Sequence, residues 1–116
     1  MIRPDGDAAV YLYTEFVDMR KSIDGLATLV EQEAGLSPFS QTIFVFCNRK
    51  RDKVKLLLWE NNGFILWYKR LEKFRFKWPG DDAPEPIDGA LLNQLLDGYD
   101  IRLQKPHSSL PYTTVL

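Results

Sequence analysis

Residues 43–79 read IFVFCNRKRDKVKLLLWENNGFILWYKRLEKFRFKWP, runs rich in β-branched, aromatic and leucine side chains broken by short polar stretches. Such runs, bounded by turn residues, are strand signals. Thr42–Cys47 and Val54–Glu60 are therefore expected as two strands, joined by a basic loop from Asn48 to Lys53. Asn61-Asn62-Gly63 suits a three-residue hairpin, a type I turn followed by glycine in the left-handed region. Phe64–Arg70 then returns antiparallel with Glu60 opposite Phe64. That register puts Leu58/Leu66 and Leu56/Tyr68 on the core face, and Trp59/Ile65, Leu57/Trp67 and Lys55/Lys69 on the other. Phe74–Trp78 reads as a further short strand, with Phe74, Phe76 and Trp78 on one side. Its Arg75 and Lys77 would converge on the face carrying Lys55 and Lys69.

Working upstream, Ala9–Tyr13 is a short apolar run expected as a first strand. Asp18 is placed to cap a helix of about four turns, since Met19, Ile23, Leu26, Ala27 and Val30 recur at spacings of three and four. Gly25 inside it suggests a close approach of helix to sheet, and Gly35 a stop. Downstream, Pro79–Pro86 (PGDDAPEP) is an acidic, proline-rich connector. Asp88 caps a final helix bearing Leu91, Leu92, Leu95 and Leu96, ended by Gly98. The fold predicted is α+β: a single domain over residues 1–101, with a mostly antiparallel sheet of about four to five strands. Two helices lie on one face, in the order β-α-β-β-β-β-α. Residues 102–116 form a tail expected to pack on the domain or a neighbour.

Composition bounds the function. The 116 residues are 45% apolar, 13% aromatic and 27% charged, enough for one folded core. No apolar run approaches the ~18 residues of a membrane span. The first residues lack the apolar stretch of a secretory leader, so a cytoplasmic location is expected. Cys47 is the single cysteine, which excludes an intrachain disulfide and a multi-cysteine zinc site; within its apolar run it reads as a buried small hydrophobe. His107 is the single histidine, so no Ser-His-Asp triad, Cys-His pair or multi-histidine site is supported. Glycines are scattered singly and build no phosphate-binding loop. Asp52 and Lys55 beside Glu60 or Glu72 faintly suggest an acid-acid-lysine nuclease site, a spacing that chance supplies in any charged sheet. The expectation is a protein without enzymatic activity, metal, cofactor or small-molecule substrate.

Charge points elsewhere. The chain is formally −1, yet residues 48–78 hold ten Lys or Arg against three acids. Segregation of that kind marks a binding face. The candidate nucleic-acid contacts are Asn48, Arg49, Lys50, Arg51, Lys53, Lys55, Lys69, Arg70, Arg75 and Lys77, acting mainly on phosphates, with Trp67 as an exposed stacking platform. The bland alternatives are a solvated loop that deters edge pairing and a tryptophan in the core, where a one-residue slip of register would bury it. Arg20, Lys21 and Asp24 form a second candidate group, for DNA or a protein partner; its alternative is an ion pair of Arg20 or Lys21 with Asp24.

A family resemblance rests on Asp18-Met19-Arg20-Lys21-Ser22-Ile23-Asp24-Gly25-Leu26, Phe44-Val45-Phe46, Asn48-Arg49-Lys50-Arg51-Asp52, Gly63-Phe64, Leu66-Trp67-Tyr68-Lys69-Arg70-Leu71-Glu72 and Trp78-Pro79. Over roughly residues 10–101 the chain resembles the small accessory protein, TnpB, of bacterial insertion sequences in the sixty-six group, which is unrelated to the RNA-guided nuclease of the same name. It departs from the pattern with Gln41 and Phe74 where glycine is common. The resemblance implies an accessory role in transposition beside a large transposase, and no catalytic mechanism. Two functions follow as expectations: a non-catalytic DNA-binding accessory, or an adaptor binding the transposase through a sheet edge or the leucine-rich last helix.

Overall fold

The computed structural model describes residues 3–104. Strand β1 (Ala9–Leu12) leads through helix α1 (Ile23–Gln32) to β2 (Ile43–Cys47), β3 (Lys53–Glu60) and β4 (Gly63–Arg70). A single 3-10 turn at Gly80–Asp82 precedes β5 (Ile87–Asp88) and α2 (Gly89–Leu96), and a second, Ile101–Gln104, follows them. The expected α+β class and element order hold. The tail from residue 105, with its expected packing and His107, lies outside the described residues.

The sheet order is β4-β3-β2-β1-β5. Only β1 and β2 run parallel, with Val10 beside Ile43 and Leu12 beside Val45. A parallel pair needs a crossover, and α1 supplies it. All other pairs are antiparallel. Since alternate residues of a strand face opposite ways, β2 divides the core in two. Phe44 and Phe46 pack with Leu26 and Val30 of α1, whereas Ile43, Val45 and Cys47 pack with Leu92, Leu95 and Leu96 of α2. The two helices thus cover opposite faces of the sheet, not one face as expected, because all five β2 side chains are buried and each face needs a cover. Cys47 is fully buried, and that burial pushes its thiol up to about 12.

Helix α1 starts later than Asp18 suggested and is ten residues long, about three turns. Asp18 caps a local turn instead, its Oδ1 accepting the Arg20 N–H at 2.9 Å. The Met19 and Lys21 carbonyls, which a longer helix would need for its own ladder, each accept the Lys55 ammonium at 2.8 Å. Gly25 does not meet the sheet; a side chain there would press on Lys21 Cβ and Cγ at 3.3 Å, so the glycine makes room for the lysine stem.

The β3–β4 hairpin is one residue tighter than expected. Glu60 pairs with Gly63, Trp59 with Phe64, Leu56 with Trp67, Lys55 with Tyr68 and Val54 with Lys69. Asn61, not glycine, takes the left-handed conformation, at φ 56°, which asparagine tolerates because its side chain can hydrogen-bond locally. The slip moves Trp67 to the α2 side of the sheet, half-buried against the core, and leaves Tyr68 exposed beside Lys55.

At the other end, Asp88 caps α2 through its Oδ1 and the Leu91 N–H at 3.0 Å. The N-terminal segment straps across this helix. Arg3 reaches Asp97 at 2.8 Å, and the Ala90 N–H donates to the Gly6 carbonyl at 2.9 Å.

Candidate nucleic-acid interface

The basic loop between β2 and β3 is built around Asn48. Its Oδ1 accepts the backbone N–H groups of Asp52 at 3.1 Å and Lys53 at 3.0 Å, while its Nδ2 donates to the Asp52 carboxylate at 2.7 Å. That bond is the first cause holding the Asp52 carboxyl below its usual range. The side-chain amide expected to touch nucleic acid instead shapes the loop. Arg51 turns through φ 64°, a left-handed conformation that arginine adopts only when its surroundings enforce it.

Two hydrogen bonds then draw the segment after β4 against the loop. The Leu71 N–H donates to the Asp52 carbonyl at 2.8 Å, and the Phe76 N–H to the Arg51 carbonyl at 2.7 Å. Phe74–Trp78 is accordingly no strand. Phe76 and Trp78 are still buried, at 1% and 7% exposure, so Arg75 and Lys77 between and beside them face outward. Phe74, expected on the same side as Phe76 and Trp78, lies in a bend at Glu72–Phe74 and is 78% exposed. Between loop and segment lies an open cleft of about 680 Å³. Lys50, Arg51, Lys73, Arg75, Lys77 and Arg102 line it, against the acids Asp52 and Glu72. Arg102 was not among the sequence candidates. It arrives from the 3-10 turn after α2, braced by Asp100 at 2.8 Å, and only its isolated positive charge after an acidic stretch could have flagged it.

The remaining candidates go to other places. Arg49 is exposed and leans over the Phe16 ring, 5.8 Å from its centroid. Lys53 pairs with Asp52 at 3.4 Å and Arg70 with Glu72 at 2.9 Å. Lys55 and Lys69, expected on one face, point to opposite faces: Lys55 toward the turn before α1, Lys69 to the Leu96 carbonyl at the end of α2, at 3.1 Å. In the second group, Arg20 pairs with Asp18 at 2.7 Å rather than with Asp24, which holds the Asp18 carboxyl at about 2. Lys21 and Asp24 are exposed, Asp24 in the first turn of α1. Asp52 precedes β3 and Glu60 ends it, about 26 Å apart at ~3.3 Å per residue, so no nuclease-like pair of those two forms. Among the described residues no cluster of three or more His, Cys, Asp or Glu could hold a metal ion, and no helix is long and apolar enough to cross a membrane.

A mixed sheet covered on both faces, with one cationic cleft at the end of its β2–β3 and β4 strands, defines a small α+β protein whose most distinctive surface is basic. Comparison with known proteins then places it. The chain belongs to the IS66 Orf2-like family, whose model matches residues 8–106. It is thus an accessory protein of IS66-type transposition, and the family is not a known catalytic one. It is 34% identical over 101 residues to the uncharacterized protein y4hO of Sinorhizobium fredii (strain NBRC 101917 / NGR234), covering 85% of this chain and 88% of that protein. It is also 34% identical over 92 residues to the uncharacterized protein y4jC of the same strain, covering 78% of this chain and 74% of the other. No solved structure matches.

Proposed function

We propose that the protein serves transposition in the cytoplasm by binding DNA in the cleft between the Arg49–Asp52 loop and the Leu71–Trp78 segment. The observation that carries this reading is the pair of backbone bonds to the Arg51 and Asp52 carbonyls. They bring cations from two chain segments to one groove, where Arg102 joins them. Arg51, Arg75 and Lys77 are the phosphate contacts, flanked by Lys50, Lys73 and Arg102. Lys55 and Lys69 serve the fold, because their ammonium groups already donate to backbone carbonyls of other elements. Phosphate neutralisation releases counterions, so affinity falls steeply with salt. Replacing Arg51, Arg75 and Lys77 together with alanine is expected to reduce the slope of log K against log salt by about 2 to 3. Fluorescence anisotropy on duplex and single-stranded DNA at several salt concentrations reads this directly, and an unchanged slope would remove the cleft from the site.

One observation favours the adaptor reading as the alternative. Strand β4 is an eight-residue edge of the sheet. Because the Leu71 N–H donates across to the Asp52 carbonyl and the β3–β4 register continues from that pair, the N–H and C=O groups of Phe64, Leu66, Tyr68 and Arg70 point away from β3. An edge of that length without proline is a template for an added strand. The leucine-rich helix offers no such surface, since Leu92, Leu95 and Leu96 are fully buried in the protein's own core. Co-purification with the transposase that survives Arg51→Ala and is lost in Tyr68→Pro would select the adaptor at this edge; the reverse pattern would move the partner contact to the basic loop, and no co-purification of the unaltered protein would remove the adaptor reading.

A further inference from the structure

Phe74 is the most exposed large hydrophobic side chain among the described residues, at 78%. Its neighbours in the alternation, Phe76 and Trp78, are buried, so a continued extended segment would have carried Phe74 inward as well. The bend at Glu72–Phe74 turns it out between Lys73 and Arg75, into the wall of the basic cleft. Several other exposed rings have partners: Phe39 lies against Trp59 and Phe64, Tyr11 against Phe44, Tyr68 beside Lys55 and Phe16 under Arg49. Among the described residues no ring or cation stacks on Phe74.

An exposed ring among cations has a specific chemical complement. Phosphates of an intact duplex satisfy the cations, but its bases are stacked on one another and present no free π-face along the helix. An unpaired base does present one, and base–aromatic stacking is tolerant of sequence. We infer that Phe74 stacks on an unpaired base of DNA seated in the cleft, so that the protein prefers single-stranded or frayed DNA to blunt duplex. This rests on the reading of the cleft as a DNA site. Lys50, Arg51, Arg75 and Lys77 hold the backbone on either side of the ring, and Phe74 selects strand state rather than base sequence.

The test is an anisotropy titration of the full chain against three labelled DNAs of equal length: a single strand, a blunt duplex, and a duplex ending in unpaired nucleotides. The unaltered protein is expected to bind the first and third more tightly than the second. Phe74→Ala should weaken both by about 5- to 150-fold, the equivalent of one lost stack, and leave the blunt duplex within about twofold. Its salt slope should stay that of the unaltered protein, and Phe74→Trp should restore the preference. Because the side chain is exposed, thermal melting of the alanine variant should match the parent. Equal binding of single strand and blunt duplex by the unaltered protein, or an equal loss on all three DNAs in Phe74→Ala, overturns the inference and leaves the cleft reading standing. Failure of all three DNAs to bind at low salt overturns both.

Discussion

A lysine ammonium has three donors, and the groups that occupy them settle whether its charge is available to a phosphate. Lys55 donates to the carbonyls of Met19 and Lys21, 36 and 34 residues away in sequence, and Lys69 to that of Leu96, 27 residues away. Counting charge along the chain gives these lysines the same weight as Lys73 or Lys77, because the carbonyls that claim them come from other elements. The same holds for Asn48, a plausible base contact by type, whose amide is occupied by Asp52 and Lys53. Lys55→Met keeps the stem's packing and leaves two carbonyls without their charged donor. Such bonds are worth about 1.5–3 kcal/mol, less for a half-exposed group, so a loss of about 1–2 kcal/mol in urea unfolding is expected. The DNA salt slope should not move. A change in that slope with unchanged stability would return Lys55 to the binding face.

At the scale of elements, the apolar runs placed β2, β3 and β4 well, since β-branched and aromatic side chains of a sheet buried on both faces leave a strong local signal. The register was harder to read. Asn61-Asn62-Gly63 accommodates two loop lengths, and moving by one residue exchanges Trp67 for Tyr68 on the exposed side. Phe74–Trp78 had the alternation of a strand without becoming one, because Leu71 and Phe76 N–H groups bond to a loop rather than to a neighbouring strand. Gly89 shows the same dependence on long-range contacts. Read locally it is a permissive residue after the Asp88 cap; in the fold, a Cβ there would lie 1.6 Å from the Asp5 carbonyl oxygen. Gly89→Ala must displace the N-terminal strap from α2. Overpacking of this kind costs about 1–3 kcal/mol, and at about 4–8 °C per kcal/mol for a domain near this size the thermal midpoint should fall by at least several degrees. An unchanged midpoint would mean that the strap yields freely.

For the whole molecule, the balance of charge conceals its arrangement. A net charge of −1 alone would argue against affinity for DNA, yet the fold gathers six cations around one cleft. The five recruited from residues 50–77 were visible as a charge cluster, whereas Arg102 and the outward turn of Phe74 depend on how the chain closes on itself.

The position of β4 at the end of the described sheet also divides its amides into two populations. The N–H groups of Ile65, Trp67 and Lys69 face β3, and those of Phe64, Leu66, Tyr68 and Arg70 face away from it. In deuterated water the strand should exchange in a two-beat rhythm, slow and fast by turns along eight residues. A strand laid along the edge would silence the fast beat. DNA held in the cleft would leave it sounding.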